Sequence, residues 1–226
     1  MYFDSYYLIL VVPTLILSMI AQGMVSSAFS KYSNVRNSRN ISGRQAAALL
    51  MQHSGINDVR IEEVRGSLTD HYDPSAKVLR LSQPVFENPS IAAVGVAAHE
   101  TGHAIQHARG YSPLVLRSTL VPIANLGSAA GPFLAIIGLV MASDFLFTLG
   151  IILFSGAVLF YIVTLPVEFN ASSRAIALLR EGGVLSEEEL SGVRKVLTAA
   201  ALTYVASALT AVASLLRLIL LSRRRR

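Results

Sequence analysis

Apolar and polar segments alternate along the chain on a scale of tens of residues. Four segments are almost continuously apolar, at approximately 6–25, 120–141, 145–165 and 197–221. A helix needs about 20 consecutive apolar residues to cross the hydrocarbon core of a bilayer. We therefore predict four transmembrane helices. The first should be an uncleaved anchor, because a signal peptide normally opens with Lys or Arg and this chain opens with Met-Tyr-Phe-Asp.

The second and third apolar segments are separated only by a short turn at residues 142–144. Two spans joined so closely form a hairpin, so the residues before Leu120 and those after Pro166 should lie on one side of the membrane. Pro166 is expected to end the third span, because proline lacks the backbone N–H that a helix interior uses. A separate polar helix, Glu168–Glu181, is predicted to follow.

The polar residues after the first span have the pattern of a small folded unit. Helical periodicity, strand-like alternation and turn residues divide this region into five predicted elements. They are a helix at Gln45–His53, a strand at Asp58–Glu63, a turn at Asp70–Pro74, a strand at Lys77–Ser82 and a helix from Ile91 to about Arg109 that ends at Gly110.

The predicted fold is mainly α, with about four transmembrane helices and a small α+β unit at the membrane surface. That unit should combine residues 30–112 and 166–195 within a single domain of 226 residues. The composition agrees, since 53% hydrophobic and 15% charged residues are too apolar for an ordinary soluble domain. The net charge of +5 does not indicate nucleic-acid binding, because Arg223–Arg226 form a terminal run that is typical of a membrane-flanking anchor.

One short motif carries the chemistry. His99-Glu100-Thr101-Gly102-His103 has the form HExxH, and its spacing brings both imidazoles onto one helix face, a single turn apart. The chain has no cysteine, so a zinc site must use His, Asp or Glu. Two neutral imidazoles can bind one zinc ion, and Glu100 can accept a proton from the attacking water and deliver it to the leaving amine. The motif predicts a zinc-dependent peptidase with Glu100 as general base.

A catalytic zinc site needs a third protein ligand and an open position. The metzincin pattern would supply a histidine, but Gln106 and Arg109 occupy the positions of that pattern's glycine and third histidine. The gluzincin pattern supplies a glutamate from a later helix, and the predicted hairpin places Glu168 on the same side as the HExxH helix. We therefore predict Glu168 as the third ligand. His107 lies one turn beyond His103 and is expected to line the site instead.

The segment VGVAAHETGHAIQHARGYSPLVLRSTLVPIANLGS, with EFNASSRAIALL after the hairpin, resembles the bacterial YugP-like neutral zinc metallopeptidases over nearly the whole chain. The resemblance implies an integral membrane peptidase, distantly similar to HtpX and to the CAAX prenyl proteases, whose ligands are the two HExxH histidines and a downstream glutamate. Those distant relatives carry a supporting aspartate four residues after the glutamate. Here Ser172 occupies that position, with Asn170 two residues nearer.

The remaining site expectations concern the substrate. Zincins usually bind a peptide as an added strand at a sheet edge, and Lys77–Ser82 is the candidate edge. The candidates for stabilising the oxyanion are polar residues near the motif, namely His71, Tyr72, His107 and Arg174. Because the predicted ligands adjoin two spans, we expect the partners to be the bilayer and membrane proteins or membrane-proximal polypeptides.

Two other functions are compatible with the sequence. A non-catalytic membrane scaffold could bind zinc through the same motif, although a structural site has no need of Glu100. An intramembrane site-2-type protease would pair HExxH with an LDG-type aspartate, but nothing of that kind occurs here, where the nearest candidate is Leu126-Gly127-Ser128. A zinc-dependent cleavage assay separates the scaffold from an enzyme.

Two groups of basic residues give conflicting indications of the side of the membrane on which the site lies. Lys31, Arg36, Arg39 and Arg44 closely follow the first span and favour a cytoplasmic site. With four spans, Arg223–Arg226 would then lie outside, against the same tendency. Because the distant relatives have cytoplasmic sites, we expect a protein of the bacterial cell membrane with its site in the cytoplasm.

Overall fold

The computed structural model describes residues 4–223, which fold mainly into helices. A π-helical turn, Tyr7–Val11, leads directly into the first helix. The elements that follow are, in chain order, α1 (Val12–Ser33), α2 (Gly43–His53), β1 (Arg60–Val64), β2 (His71–Asp73), β3 (Val78–Ser82), α3 (Gln83–Phe86), α4 (Ile91–Ala108), α5 (Ser112–Val140), α6 (Asp144–Glu181) and α7 (Glu187–Arg223).

The described chain divides into two compact units. The helical unit contains the residues up to Ala21, then Pro113–Pro166, then the residues from Leu202 onward. The site unit contains Gln22–Ser112 and Val167–Ala201. Helices α1, α6 and α7 each contribute residues to both units. The predicted division into residues 30–112 plus 166–195 stays a prediction.

Within residues 4–223, four helical segments are long and apolar enough to cross a membrane, which agrees with the predicted number of spans. They are Tyr7–Ser33, α5, α6 and α7. Helix α5 is longer than expected, since it begins at Ser112 rather than near Leu120. Of the predicted basic anchor, Arg223 ends α7 and the three arginines after it lie outside the described residues.

The predicted break at Pro166 is wrong. Helix α6 runs without interruption from Asp144 to Glu181, with Pro166 inside it, so no separate polar helix begins at Glu168. Proline removes one hydrogen bond from a helix, but packing of the following turns can offset that loss. After Pro166 the helix buries a residue at every fourth position, namely Val167, Ala171, Ala175 and Leu179.

Close helix packing and one ion pair hold the helical unit together. A Cβ at Gly127 of α5 would collide with the carbonyl oxygen of Leu153 in α6, so this approach requires glycine. At the ends of the chain, the guanidinium of Arg217 in α7 donates from Nε and Nη2 to Oδ2 of Asp4, at 2.9 and 2.6 Å. The Arg217 guanidinium also lies 5.1 Å from the ring centre of Tyr7.

The site unit contains a three-stranded sheet with the order β1-β3-β2. Strand β3 pairs in parallel with β1 and antiparallel with β2. Two predictions are therefore wrong. The segment Lys77–Ser82 supplies the central strand and not an edge, and the predicted turn Asp70–Pro74 contains strand β2. A three-residue strand within turn-forming residues is too short to produce a visible alternation.

Helix α4 forms the core of the site unit. Its apolar residues pack on one side against α2, the sheet and α3, through Ala47, Leu79, Leu81 and Val85 among others. On the other side they pack against α6 and α7, through Ala175, Leu190 and Val193 among others. Ser90 caps the start of α4 by accepting a hydrogen bond from the backbone N–H of Ala93. The helix is thereby held firmly on nearly every face.

Candidate metal centre

Helix α4 brings the two motif histidines together as the sequence predicts. His99 and His103 lie one turn apart, with their ring centres 4.8 Å apart and their planes nearly perpendicular. His103 is buried and His99 half-buried. Both rings direct Nε2 toward the neighbouring helix α6.

Glu168 completes the group from α6. Its side chain is almost fully buried, and its Oε2 lies 3.2 Å from Nε2 of His99 and 3.6 Å from Nε2 of His103. Sequence reasoning therefore selected the carboxylate that the fold places beside both histidines. Gly102 makes this approach possible, because a Cβ there would lie 2.7 Å from the carbonyl oxygen of Ala171 in α6.

The three side chains fit a zinc ion. Their ligand atoms all lie within 4.8 Å of one another. With zinc bonds of about 2.0–2.1 Å, neighbouring ligands of a tetrahedral site should be about 3.3 Å apart. The two distances from the Glu168 oxygen, 3.2 and 3.6 Å, bracket that spacing. Two imidazoles and one carboxylate also match the donor set of catalytic sites that keep an open position.

The second ring nitrogen of each histidine has its own hydrogen-bond partner. Nδ1 of His99 lies 3.1 Å from Oγ of Ser172, and Nδ1 of His103 lies 3.0 Å from Oε1 of Gln106. Such partners orient the rings of metal-binding histidines. The supporting groups are therefore a hydroxyl and an amide, where the distant relatives use a carboxylate.

Gln106 is the residue that sequence reasoning missed. In the sequence it served only to exclude the metzincin pattern. In the structure it is fully buried, and its Nε2 donates to the carbonyl oxygen of Val167 and to Oδ1 of Asn170, at 2.8 and 3.0 Å. Its position three residues after His103, on the same helix face, is the signal that could have found it.

Comparison with known proteins agrees with this geometry. Residues 7–223 match a protein family described as "Putative neutral zinc metallopeptidase". The chain belongs to this family. It is also 48% identical over 215 residues to "Putative membrane protease YugP" of Bacillus subtilis (strain 168), covering 95% of this chain and 96% of the relative. No solved structure matches the chain. The protein is thus a membrane protein of a zinc metallopeptidase family, as the resemblance implied.

The electrostatics of this candidate site favour a proton or a cation near Glu168. Burial alone would lower the pKa of His103, but its hydrogen bond to Glu168 and the charges of Glu100 and Glu168 raise that pKa above its usual value. A histidine binds metal as the neutral imidazole, so a metal ion bound here would replace this proton. The Glu168 carboxylate, which attracts the proton, would then face the metal ion.

We call His99, His103 and Glu168 the ligand group. Glu100 lies next to this group but is not part of it. Its side chain is half-buried, and within residues 4–223 its carboxylate has no hydrogen-bond partner. It is close enough to His103 for its charge to contribute to the raised pKa of that ring. A free carboxylate beside the ligands is what a general base needs, because its oxygens remain available for a water proton.

Each of the four candidate oxyanion residues forms a hydrogen bond outside the group of His99, His103 and Glu168. Tyr72 and His107 hydrogen-bond to each other through the hydroxyl and Nδ1, at 2.8 Å. His71 bonds to the carbonyl oxygen of Thr69 at an exposed position. Arg174 donates from Nε to Oδ1 of Asn170, at 2.7 Å. No direct hydrogen bond joins any of the four to the ligand group in the described chain, and their oxyanion role stays a prediction.

A cavity of about 240 Å³ is lined in part by Arg174. Its wall combines basic, acidic and apolar side chains from the ends of α2 and α4 and from α6, including His53, Ile105, Arg109, Arg174 and Glu181. None of His99, His103 and Glu168 lines it. The guanidinium of Arg174 lies 6.0 Å from the ring centre of Tyr111.

Proposed function

We propose that the protein is a zinc-dependent membrane endopeptidase whose metal ligands are His99, His103 and Glu168. The observation that carries this proposal is the convergence of both histidine Nε2 atoms on one buried oxygen of Glu168. Membership of a zinc metallopeptidase family supports zinc as the metal. The uncommitted carboxylate of Glu100, on the same helix as the two histidines, favours an enzyme over a zinc-binding scaffold.

Glu100 acts as the general base in this mechanism. A bound zinc ion supplies Lewis-acid chemistry, polarising the scissile carbonyl and allowing water to ionise near neutral pH. The carboxylate of Glu100 removes one proton from the attacking water, holds it, and delivers it to the nitrogen of the departing amine. His99, His103 and Glu168 would hold the ion, and the close packing of α4 against α6 fixes their positions relative to Glu100.

The substrate is proposed to bind as an extended strand beside α4, as in zincin-like enzymes. Because β3 is central, the free edges of the sheet belong to β1 and β2. Strand β2 is the better candidate, since Tyr72 of this strand is tied to His107 of α4 by a hydrogen bond. An added strand would pair with the backbone of His71–Asp73 along the side that does not face β3.

We further propose that the substrates are membrane proteins or polypeptides close to a bilayer. Glu168 follows the apolar segment 145–165 within one continuous helix, only three residues after Leu165. Helix α5, which is apolar enough to span, begins four residues after α4 ends. The site is proposed to face the cytoplasm, because Lys31, Arg36 and Arg39 follow the first span closely.

The test presents one flexible sequence in two forms to enzyme in liposomes. In one form it is a soluble peptide, and in the other it is tethered beside a transmembrane helix in the same bilayer. We expect the tethered form to be cleaved much faster, with cleavage abolished by a zinc chelator and restored by added zinc. Equal cleavage of both forms would refute the proposed substrate class, and cleavage of neither would refute the proposed activity.

A further inference from the structure

The hydrogen bonds behind His103 continue outward through three side chains. Nδ1 of His103 faces Oε1 of Gln106, Nε2 of Gln106 faces Oδ1 of Asn170, and the same Oδ1 faces Nε of Arg174. Each of the three contacts is between 2.7 and 3.0 Å. These hydrogen bonds therefore link His103, a predicted zinc ligand on α4, to the guanidinium of Arg174 on α6.

Arg174, at the outer end of this hydrogen-bond chain, determines which atom donates and which accepts in each contact. An arginine guanidinium only donates hydrogen bonds and stays protonated in proteins. The atom of Asn170 that faces Nε of Arg174 must therefore be the amide oxygen, and not the amide nitrogen. That oxygen can only accept, so the atom of Gln106 that faces it must be the amide nitrogen.

A second contact fixes Gln106 independently. The Nε2 group of Gln106 also faces the carbonyl oxygen of Val167, at 2.8 Å, and a carbonyl oxygen only accepts. Both amide hydrogens of Gln106 are thus used, and its Oε1 is left to face His103. Because that oxygen only accepts, the Nδ1 atom of His103 must carry a proton.

We infer that Arg174, Asn170 and Gln106 form a directional hydrogen-bond chain that holds the proton of neutral His103 on Nδ1 and presents the lone pair of Nε2 to the metal. The inference rests on the proposed function in taking His103 as a metal ligand. Gln106, Asn170 and Arg174 are positioning residues, because they act through His103 and touch neither metal nor substrate.

The other histidine lacks such a directional partner. Nδ1 of His99 faces the hydroxyl of Ser172, which can donate or accept as its proton rotates. Ser172 can therefore hold the His99 ring in place, but it does not select which nitrogen carries the proton. The chain behind His103 thus makes that ring the pre-set ligand of the pair.

The test measures zinc affinity of the purified full-length protein, by competition with a chromophoric chelator at one fixed pH. Gln106→Leu introduces an apolar side chain of similar size and removes the acceptor, and it should weaken zinc binding by about 10–100-fold, the usual effect of losing a partner of a metal-binding histidine. Unchanged affinity in a folded Gln106→Leu protein would overturn the inference.

Two variants at the half-buried Asn170 keep the test valid if Gln106→Leu does not fold. Asn170→Asp retains an oxygen that accepts from both neighbours, so its zinc affinity should match the unmodified protein. Asn170→Leu removes the acceptor but keeps the number and branching of the side-chain heavy atoms, and its zinc affinity should fall like that of Gln106→Leu. Equal affinities of the two variants, high or low, would show that the acceptor is irrelevant. Absence of zinc binding in the unmodified protein would instead refute the proposed metal site itself.

Discussion

Helices α4 and α5 are neighbours along the chain and both are strongly apolar, yet they are buried in different ways. Thirteen of the 18 residues of α4 are buried in protein, against seven of the 29 residues of α5. Apolar side chains such as Val115, Leu126 and Phe133 of α5 remain exposed on the protein surface, as expected of a helix that faces lipid. The surroundings of α4 are protein, so His99, His103 and Gln106 find hydrogen-bond partners there.

Both helices approach α6 closely at a glycine, but the two close approaches have different consequences. Gly102 of α4 lies against Ala171, and Gly127 of α5 lies against Leu153. At α4 the close approach brings Glu168 to the two histidines. At α5 it serves only helix packing. Close packing through glycine is therefore common to both regions, and the polar residues of α4 and α6 near Gly102 make one of them the candidate metal site.

The largest expected effect comes from removing a ligand of α4 or α6. His103→Ala and Glu168→Ala should each empty the site, because two remaining ligands are too few for a stable zinc site. Metal analysis should then fall from about one zinc per chain to nearly none. Asn125→Ala, on the exposed side of α5, is the control and should keep its zinc. Full occupancy in either ligand variant would show that the ligand assignment is wrong.

A smaller loss of function is expected when Glu100 of α4 is replaced, because this side chain acts on the water and does not bind the metal. Glu100→Gln keeps the shape of the side chain but removes its ability to accept a proton. Peptide cleavage should fall about 10²-fold or more, the scale of general-base catalysis, while zinc content stays the same. Activity at the original level would contradict the role of Glu100 as base, and loss of zinc would make it a ligand.

The smallest expected effects are those of replacing the two glycines by alanine, and the results should differ between Gly102 and Gly127. Gly102→Ala and Gly127→Ala each force a methyl group against a helix backbone, and each should lower the free energy of unfolding by about 1–3 kcal/mol. Only Gly102→Ala should also weaken zinc binding, because it pushes Glu168 away from the histidines. Thermal unfolding and chelator competition on both variants measure this. Equal zinc affinity in the two would mean that the approach at Gly102 does not position Glu168.

The ligand group and the spans were predictable because each depends on a local pattern. Four-residue spacing places His99 and His103 on one face, and twenty apolar residues suffice to indicate a span. Glu168 required one further step, since its place beside the motif followed from the predicted hairpin. These features need little knowledge of how distant residues pack.

The features that were missed depend on contacts between distant residues. Gln106 gains its role from Asn170, which is 64 residues away. The central position of β3 depends on the pairing of a three-residue strand, β2, that has no sequence pattern of its own. Helix α6 continues past Pro166 because the turns after it are packed, which composition does not reveal. Local propensity was overruled by tertiary packing in each case.

The ion pair between Asp4 and Arg217 has a consequence for how the protein is made. The two residues are 213 positions apart, one before the first span and one near the end of the last helix. A ribosome therefore delivers the aspartate to the membrane long before its arginine exists. Until α7 is inserted, the Asp4 carboxylate must remain at the aqueous interface or find a temporary partner. Synthesis of α7 thus supplies the positive charge of Arg217 that pairs with the Asp4 carboxylate.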